Sequence, residues 1–333
     1  MPVNTSLNLL RRPRRNRHTA SIRSLVQETK LHREDFIQPL FFHGGGGEPQ
    51  EIESMPGIVR HTIISLLEEC RSLADLGMSA VALFPCIDPA HKDERAMHAV
   101  ASENILFRAI KEIKKISPRF LVIADVALDP YTSHGHDGLL NEAGHIVNDP
   151  TVELLARLAV MEAEAGADIV APSDMMDGRV RAIRNALDAA SLQDRGIMAY
   201  SAKYASAYYG PFRDALGSKV GDSPLDKKSY QMDPANIREA LLEVKLDEEE
   251  GADIVMIKPA GAYLDVIRAV REATDLPVAA YQVSGEYAQI CAAAQLGWLD
   301  YDATRNEALL AIKRAGASMI LSYFSAELLR EWK

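Results

Sequence analysis

The chain has 333 residues, with 37 Lys and Arg against 47 Asp and Glu, a formal net charge of −10. Hydrophobic residues make up 47% and charged residues 25%, ordinary globular usage that excludes a largely disordered protein. No apolar run approaches the ~18 residues of a membrane span, so no membrane partner is expected, and the three cysteines (Cys70, Cys86, Cys291) exclude a disulfide scaffold and point to a reducing, cytoplasmic compartment.

Residues 1–30 hold Arg11, Arg12, Arg14, Arg15, Arg17, Arg23 and Lys30 against Glu28 alone, about +6, which leaves about −16 on the rest. The charges follow a short apolar stretch, the wrong order for a secretory signal. A basic arm on an acidic body fits self-association, the arm wrapping a neighbouring copy. A solvated tail, a targeting peptide and nucleic-acid binding are the alternatives, and the acidic body weighs against the last.

From residue 36 one plan repeats: a short apolar, β-branched run, a polar stretch, an amphipathic helical pattern and often Gly. The runs cover 36–42, 79–85, 120–128, 167–173, 196–202, 252–259, 277–284 and 318–324. They are continuously apolar rather than alternating, as strands buried on both faces are. Glu-Ala-Gly-Ala-Asp-Ile-Val at 164–170 returns as Glu-Gly-Ala-Asp-Ile-Val at 250–255 and more weakly at 314–320. Gly166, Gly251 and Gly316 fit the left-handed position that ends a helix before the next strand. Eight such units predict a (β/α)8 TIM barrel over 31–333, an α/β fold, with 1–30 as a separate arm. A doubly wound open sheet is the alternative, weakened because no G-x-G-x-x-G follows the first run. In a barrel, chemistry belongs at the C-terminal strand ends and in the loops after them.

After the first run, His43 and four glycines resemble a hydrolase oxyanion loop, but no G-x-S-x-G accompanies them, and they read as a first βα loop. The third run leads into Asp125, Asp129, His134, His136 and Asp137, which suit either a hard cation such as Mg²⁺ or an internally hydrogen-bonded loop. The fourth ends with Ser173, Asp174 and Asp177, able to handle polar groups or protons, although Asp177 could equally cap the next helix. Lys203 follows the fifth run and Lys258 lies in the sixth. On neighbouring barrel strands two amines would share one largely apolar cavity. Desolvation and mutual repulsion would lower their pKa and free them as nucleophiles for Schiff bases with carbonyl substrates. Lysines paired with carboxylates are the plainer reading. The polar segment 208–234 is long enough to act as a lid, bringing Arg213, Lys219, Lys227 and Lys228 over the cavity as partners for a carboxylate. Ser284 and Tyr323 end the seventh and eighth runs as hydroxyl donors aimed at the same mouth.

The strings DVALDPYTSHGHDG, APSDMMDGR, MAYSAKYASAYYGPFRDA, YQMDPAN, VMIKP, YQVSGEY and ILSYF resemble the delta-aminolevulinic acid dehydratase family, over roughly residues 8–330. The resemblance implies a barrel with an extended arm, a homo-octamer in which arms embrace neighbours, and the condensation of two 5-aminolevulinate molecules to porphobilinogen with loss of two waters. By motif, Lys258 matches the principal Schiff-base lysine and Lys203 the second. Arg213, Lys227 and Gln231 match groups around one substrate carboxylate, Ser284 and Tyr323 those around the other. Asp125 and Ser173 match polar groups near the reacting amine. Where zinc-dependent members carry three cysteines, this chain has Ala127, Asp129 and Asp137, so no catalytic Zn²⁺ is expected. The aspartate-rich members respond instead to an allosteric Mg²⁺, whose glutamate matches Glu243. A class I aldolase, which needs one lysine, and a nucleic-acid-binding assembly protein are the rival readings.

Overall fold

Residues 9–217 and 226–332 are described by a computed structural model of the chain. The eight apolar runs form strands β1 (Phe36–His43), β2 (Ala80–Cys86), β3 (Leu121–Val126), β4 (Ile169–Pro172), β5 (Gly196–Lys203), β6 (Ile254–Lys258), β7 (Val278–Gln282) and β8 (Met319–Ser322). Each pairs in parallel with the next, and β8 returns to β1 through Phe36↔Ile320 and Ile37↔Leu321, so the sheet closes into the expected barrel. Closure with helices outside buries both strand faces, which is why all eight residues of β1 are buried and why the runs show no alternation. Gly166 and Gly251 end their helices at φ +112° and +103°, where a Cβ would be strained, as the repeated motif predicts.

Inside the barrel, rings from different strands meet. Phe41 of β1 packs on Phe84 of β2 at 5.8 Å, and Tyr281 of β7 lies 6.4 Å from Tyr200 of β5. Tyr323, just beyond β8, stacks on Phe41 at 5.8 Å.

The connections depart most from expectation. β3 ends at Val126 rather than 128, because Leu128 O accepts from Tyr131 N and Thr132 N and turns the chain. Beyond the loop expected at 43–47, the chain forms a hairpin for which no element was expected: Gln50–Glu51 runs antiparallel to Val59–Thr62, which lies parallel to β1 with Arg60 opposite Phe41. The long polar segment begins as a 3-10 turn, Ala207–Tyr209, and the helix Gly210–Leu216. Lys219 lies outside the described residues. In the arm, the short helices Pro13–Arg17 and Ala20–Leu25 contain no buried residue. Among the described residues no helix is long and apolar enough to cross a membrane.

Candidate active site

Lys203 and Lys258 are the last residues of β5 and β6 and stand opposite one another in register. Both are about 5% exposed, too little to be lysines at a solvated barrel rim. Their surroundings differ. Lys258 Nζ lies 4.5 Å from the ring centre of Tyr281, 4.8 Å from Phe212, 5.2 Å from Tyr200 and 5.3 Å from Tyr209. Burial, then the charge of Lys203, pushes its ammonium down to about 7, so much of the amine is neutral at physiological pH. Lys203 Nζ donates to the Ser173 carbonyl and lies 3.8 Å from the Asp137 carboxylate. Among the described residues the carboxylate-paired reading therefore fits Lys203, and no carboxylate pairs with Lys258.

Asp137, 1% exposed, is the hub of the polar side. Lys227 Nζ lies 3.2 Å from it and 3.4 Å from Asp129, and Gln231 Nε2 donates to it at 3.4 Å. Burial works to raise the Asp137 pKa, but Lys203 and Lys227 outweigh it and hold the carboxyl near 2. Asp125 is pushed the other way, to about 7, by burial that Lys258 and Lys203 only partly offset and that Ser173 also opposes. A carboxyl and an amine that both titrate near neutrality in one cavity can trade a proton.

The remaining expected residues lie at several distances from this centre. Tyr323 OH hydrogen-bonds Tyr281 OH at 2.9 Å, which places it one ring from Lys258. Ser284, at the start of the helix after β7, donates to Tyr208 O at 3.4 Å. Arg213, on the helix Gly210–Leu216, acts electrostatically on Lys227 and Tyr209. Glu243 is not part of the cavity. It lines a depression of about 570 Å³ with Asp177, Glu239, His136 and Tyr230, which adjoins the polar side of the site through Gln231. Burial, together with Asp247, Asp177 and Glu239 and against the pull of Arg179, raises it to about 7. The helix-capping alternative for Asp177 does not hold: the helix Arg179–Ala189 starts from Gly178 without a side-chain cap, and the Asp177 backbone is held by Asn148.

Three features escaped the sequence reading. The aromatic box comes from β5, β7 and the segment after β5, and no single motif shows it. Asp137 was visible as a possible metal ligand, not as the counterion of two lysines. Arg179, 2% exposed, pairs bidentately with Asp247 at 3.0 and 3.1 Å and donates to Tyr200 O at 3.3 Å, joining the end of β5 to the helix that carries Glu243. The spacing of APSDMMDGR gave no sign of that partner.

Comparison with known proteins bears on this arrangement. The profile of the family described as delta-aminolevulinic acid dehydratase matches residues 10–331. The Chlamydia pneumoniae delta-aminolevulinic acid dehydratase is 53% identical over 98% of both chains. A chloroplastic one from Physcomitrium patens is 50% identical over 98% of this chain and 75% of its own. The crystal structure of the Toxoplasma gondii porphobilinogen synthase, in complex with the reaction product porphobilinogen, superposes with a TM-score of 0.95 at 46% identity, covering 98% of this chain and 92% of that one.

Proposed function

This chain belongs to the delta-aminolevulinic acid dehydratase family, and from that premise we propose how its cavity makes porphobilinogen from two molecules of 5-aminolevulinate. The observation that carries the reading is the register that sets two buried lysines side by side at the ends of β5 and β6. The neutral Lys258 amine attacks the ketone of one substrate, and Lys203, after its ammonium passes a proton to Asp125, attacks that of the other. Each condensation expels one water and leaves an iminium. When both lysines depart by elimination and by exchange with a substrate amine, rather than by hydrolysis, the two waters are the net loss of the reaction. Asp125, held partly protonated beside both amines, takes and returns protons, and Ser173 orients it. Arg213, Lys227 and Gln231 attract one substrate carboxylate, and Ser284 and Tyr323 donate to the other. Holding both substrates removes much of the entropic cost of joining them.

The metal reading rests on donor chemistry. Glu243, Asp177 and Glu239 line one depression with oxygen ligands suited to a hard cation such as Mg²⁺. A cation there would offset the burial, and the repulsion from Asp247, Asp177 and Glu239, that raise the pKa of Glu243. Bound at that place it would act away from the lysines, as an allosteric ion, and the Arg179–Asp247 pair offers a contact between its helix and β5. Asp129 and Asp137, where zinc-dependent relatives would carry thiolates, are engaged by Lys227, so no catalytic Zn²⁺ is assigned. The arm is read as the octamer contact: it leaves Leu10 94% and Leu25 84% exposed in the single chain, and its basic charge complements the acidic body. A reducing, cytoplasmic setting agrees with three free cysteines. No nucleic-acid partner is assigned.

The test is porphobilinogen formation from 5-aminolevulinate after chelation, with Mg²⁺ or Zn²⁺ added back. Product with Mg²⁺ raising the rate and Zn²⁺ unnecessary supports activity and metal class together. No product with any metal would overturn the activity.

A further inference from the structure

The helix Gly210–Leu216 covers the aromatic side of the cavity. Its Phe212 lies 4.8 Å from Lys258 Nζ and packs edge-on against Phe41 at 5.5 Å and Phe84 at 5.4 Å. A helix of seven residues has little stability of its own, and its last carbonyls want partners. The N-terminal approach is fixed by close backbone contact, since a Cβ on Gly285 would stand 2.4 Å from Tyr208 O. The C-terminal end is held by residues from the hairpin after β1 and from β2. Arg60 Nε donates to Ala215 O and Nη2 to Asp214 O, both at 2.6 Å. Cys86 Sγ donates to Ala215 O at 3.2 Å, and Ser54 Oγ to the Asp214 carboxylate at 2.6 Å. The hairpin is itself anchored, with Arg60 in register opposite Phe41 and Tyr287 OH donating to Pro56 O.

We propose that Arg60 is a positioning residue for the condensation: by gripping Asp214 O and Ala215 O it fixes the helix Gly210–Leu216, so that Phe212 stays against Lys258 and keeps water from the amine. A cation at a helix C-terminus is favoured by the helix dipole, and a fork of two charge-assisted bonds sets direction as well as distance. The inference rests on the reading of Lys258 as the amine that forms a Schiff base. Without the fork, the described side-chain bonds left at that end are those of Cys86 and Ser54, beside the Gly217 N–H that donates to Arg213 O and Asp214 O. Phe212 then lifts, water reaches Lys258, and the ammonium form gains.

The test uses full-length Arg60→Met. Borohydride trapping of 5-aminolevulinate at Lys258, mapped by peptide and followed against pH, reads the state of the amine. Amide exchange over 210–217 reads the helix without reference to catalysis. The expected result is a trapping midpoint moved up by about one pH unit, kcat down by at least about tenfold, and faster exchange at 210–217. Arg60→Lys, which can keep one bond, falls between, and Ser54→Ala, which leaves both guanidinium bonds, stays near the parent. A parental midpoint in Arg60→Met, or unchanged exchange at 210–217, would overturn the proposal. Failure to trap substrate at Lys258 in the parent would refute the Schiff-base reading instead, and the exchange measurement would still decide whether Arg60 holds the helix.

Discussion

Lys203 and Lys258 are neighbours across two strands, yet what lies within reach of each amine differs. Around Lys258 stand four aromatic rings and, among the described residues, no carboxylate within ion-pair distance, whereas Lys203 has a backbone carbonyl and Asp137. One sequence motif, an apolar run ending in lysine, thus gives two amines with different work to do. Burial among rings disfavours the ammonium and frees a lone pair, while a carboxylate neighbour fixes the position of an amine and supplies a countercharge.

The largest break in that comparison is Lys258→Met. Porphobilinogen formation should vanish; activity within about tenfold of the parent would remove the nucleophilic role. The fold should survive and gain. The folded amine has its pKa depressed from 10.5 to about 7, so burying it costs stability below 10.5, most fully below 7. The variant's melting temperature should therefore exceed the parent's at pH 7 and approach it towards pH 10. Lys203→Met should also abolish turnover while leaving substrate trappable at Lys258 by borohydride. Turnover without Lys203 would mean one-lysine chemistry of the aldolase kind.

Asp137→Asn sharpens the contrast from the polar side. It removes the countercharge of Lys203 and Lys227 and should cost roughly 3–5 kcal/mol in denaturant unfolding. Asp137 is held near 2, below its ordinary 3.8, so its stabilising contribution is full above 3.8 and lost as pH falls towards 2. The variant should lack that part of the acid transition. Because the Asp137 charge also favours the Lys258 ammonium, the rise of kcat/KM with pH that Lys258 should impose on the parent near 7 is expected to move to lower pH. A limb that stays in place would separate the two sides of the cavity electrostatically. The smallest expected effect is Glu243→Ala, which should abolish magnesium stimulation and leave basal turnover. Unchanged magnesium dependence would exclude that glutamate.

The barrel and the two lysines were legible because their signals are local. A strand buried on both faces must be continuously apolar, and the residue that ends such a strand is given by counting. The surroundings of the lysines were not legible, because Tyr200, Tyr209, Phe212 and Tyr281 converge from separate stretches and each alone reads as core. Arg60 and the hairpin that carries it were missed for a related reason: strands as short and polar as Gln50–Glu51 carry no period. Asp177 shows the converse: of the two readings open for it, capping does not hold, since a residue type common at helix starts stands near one without capping it.

The pairing of Lys203 with Lys258 has a consequence for tolerance to change. Adjacent strands lie ~4.8 Å apart whatever side chains they carry, a constant of peptide hydrogen bonding. On the two-lysine reading, the attachment points of the two substrates are therefore set by backbone spacing, and substitutions in loops or outer helices can alter the surroundings of the amines without altering it. Only a change that slips β5 against β6 would, and the closed sheet resists such a slip at every strand.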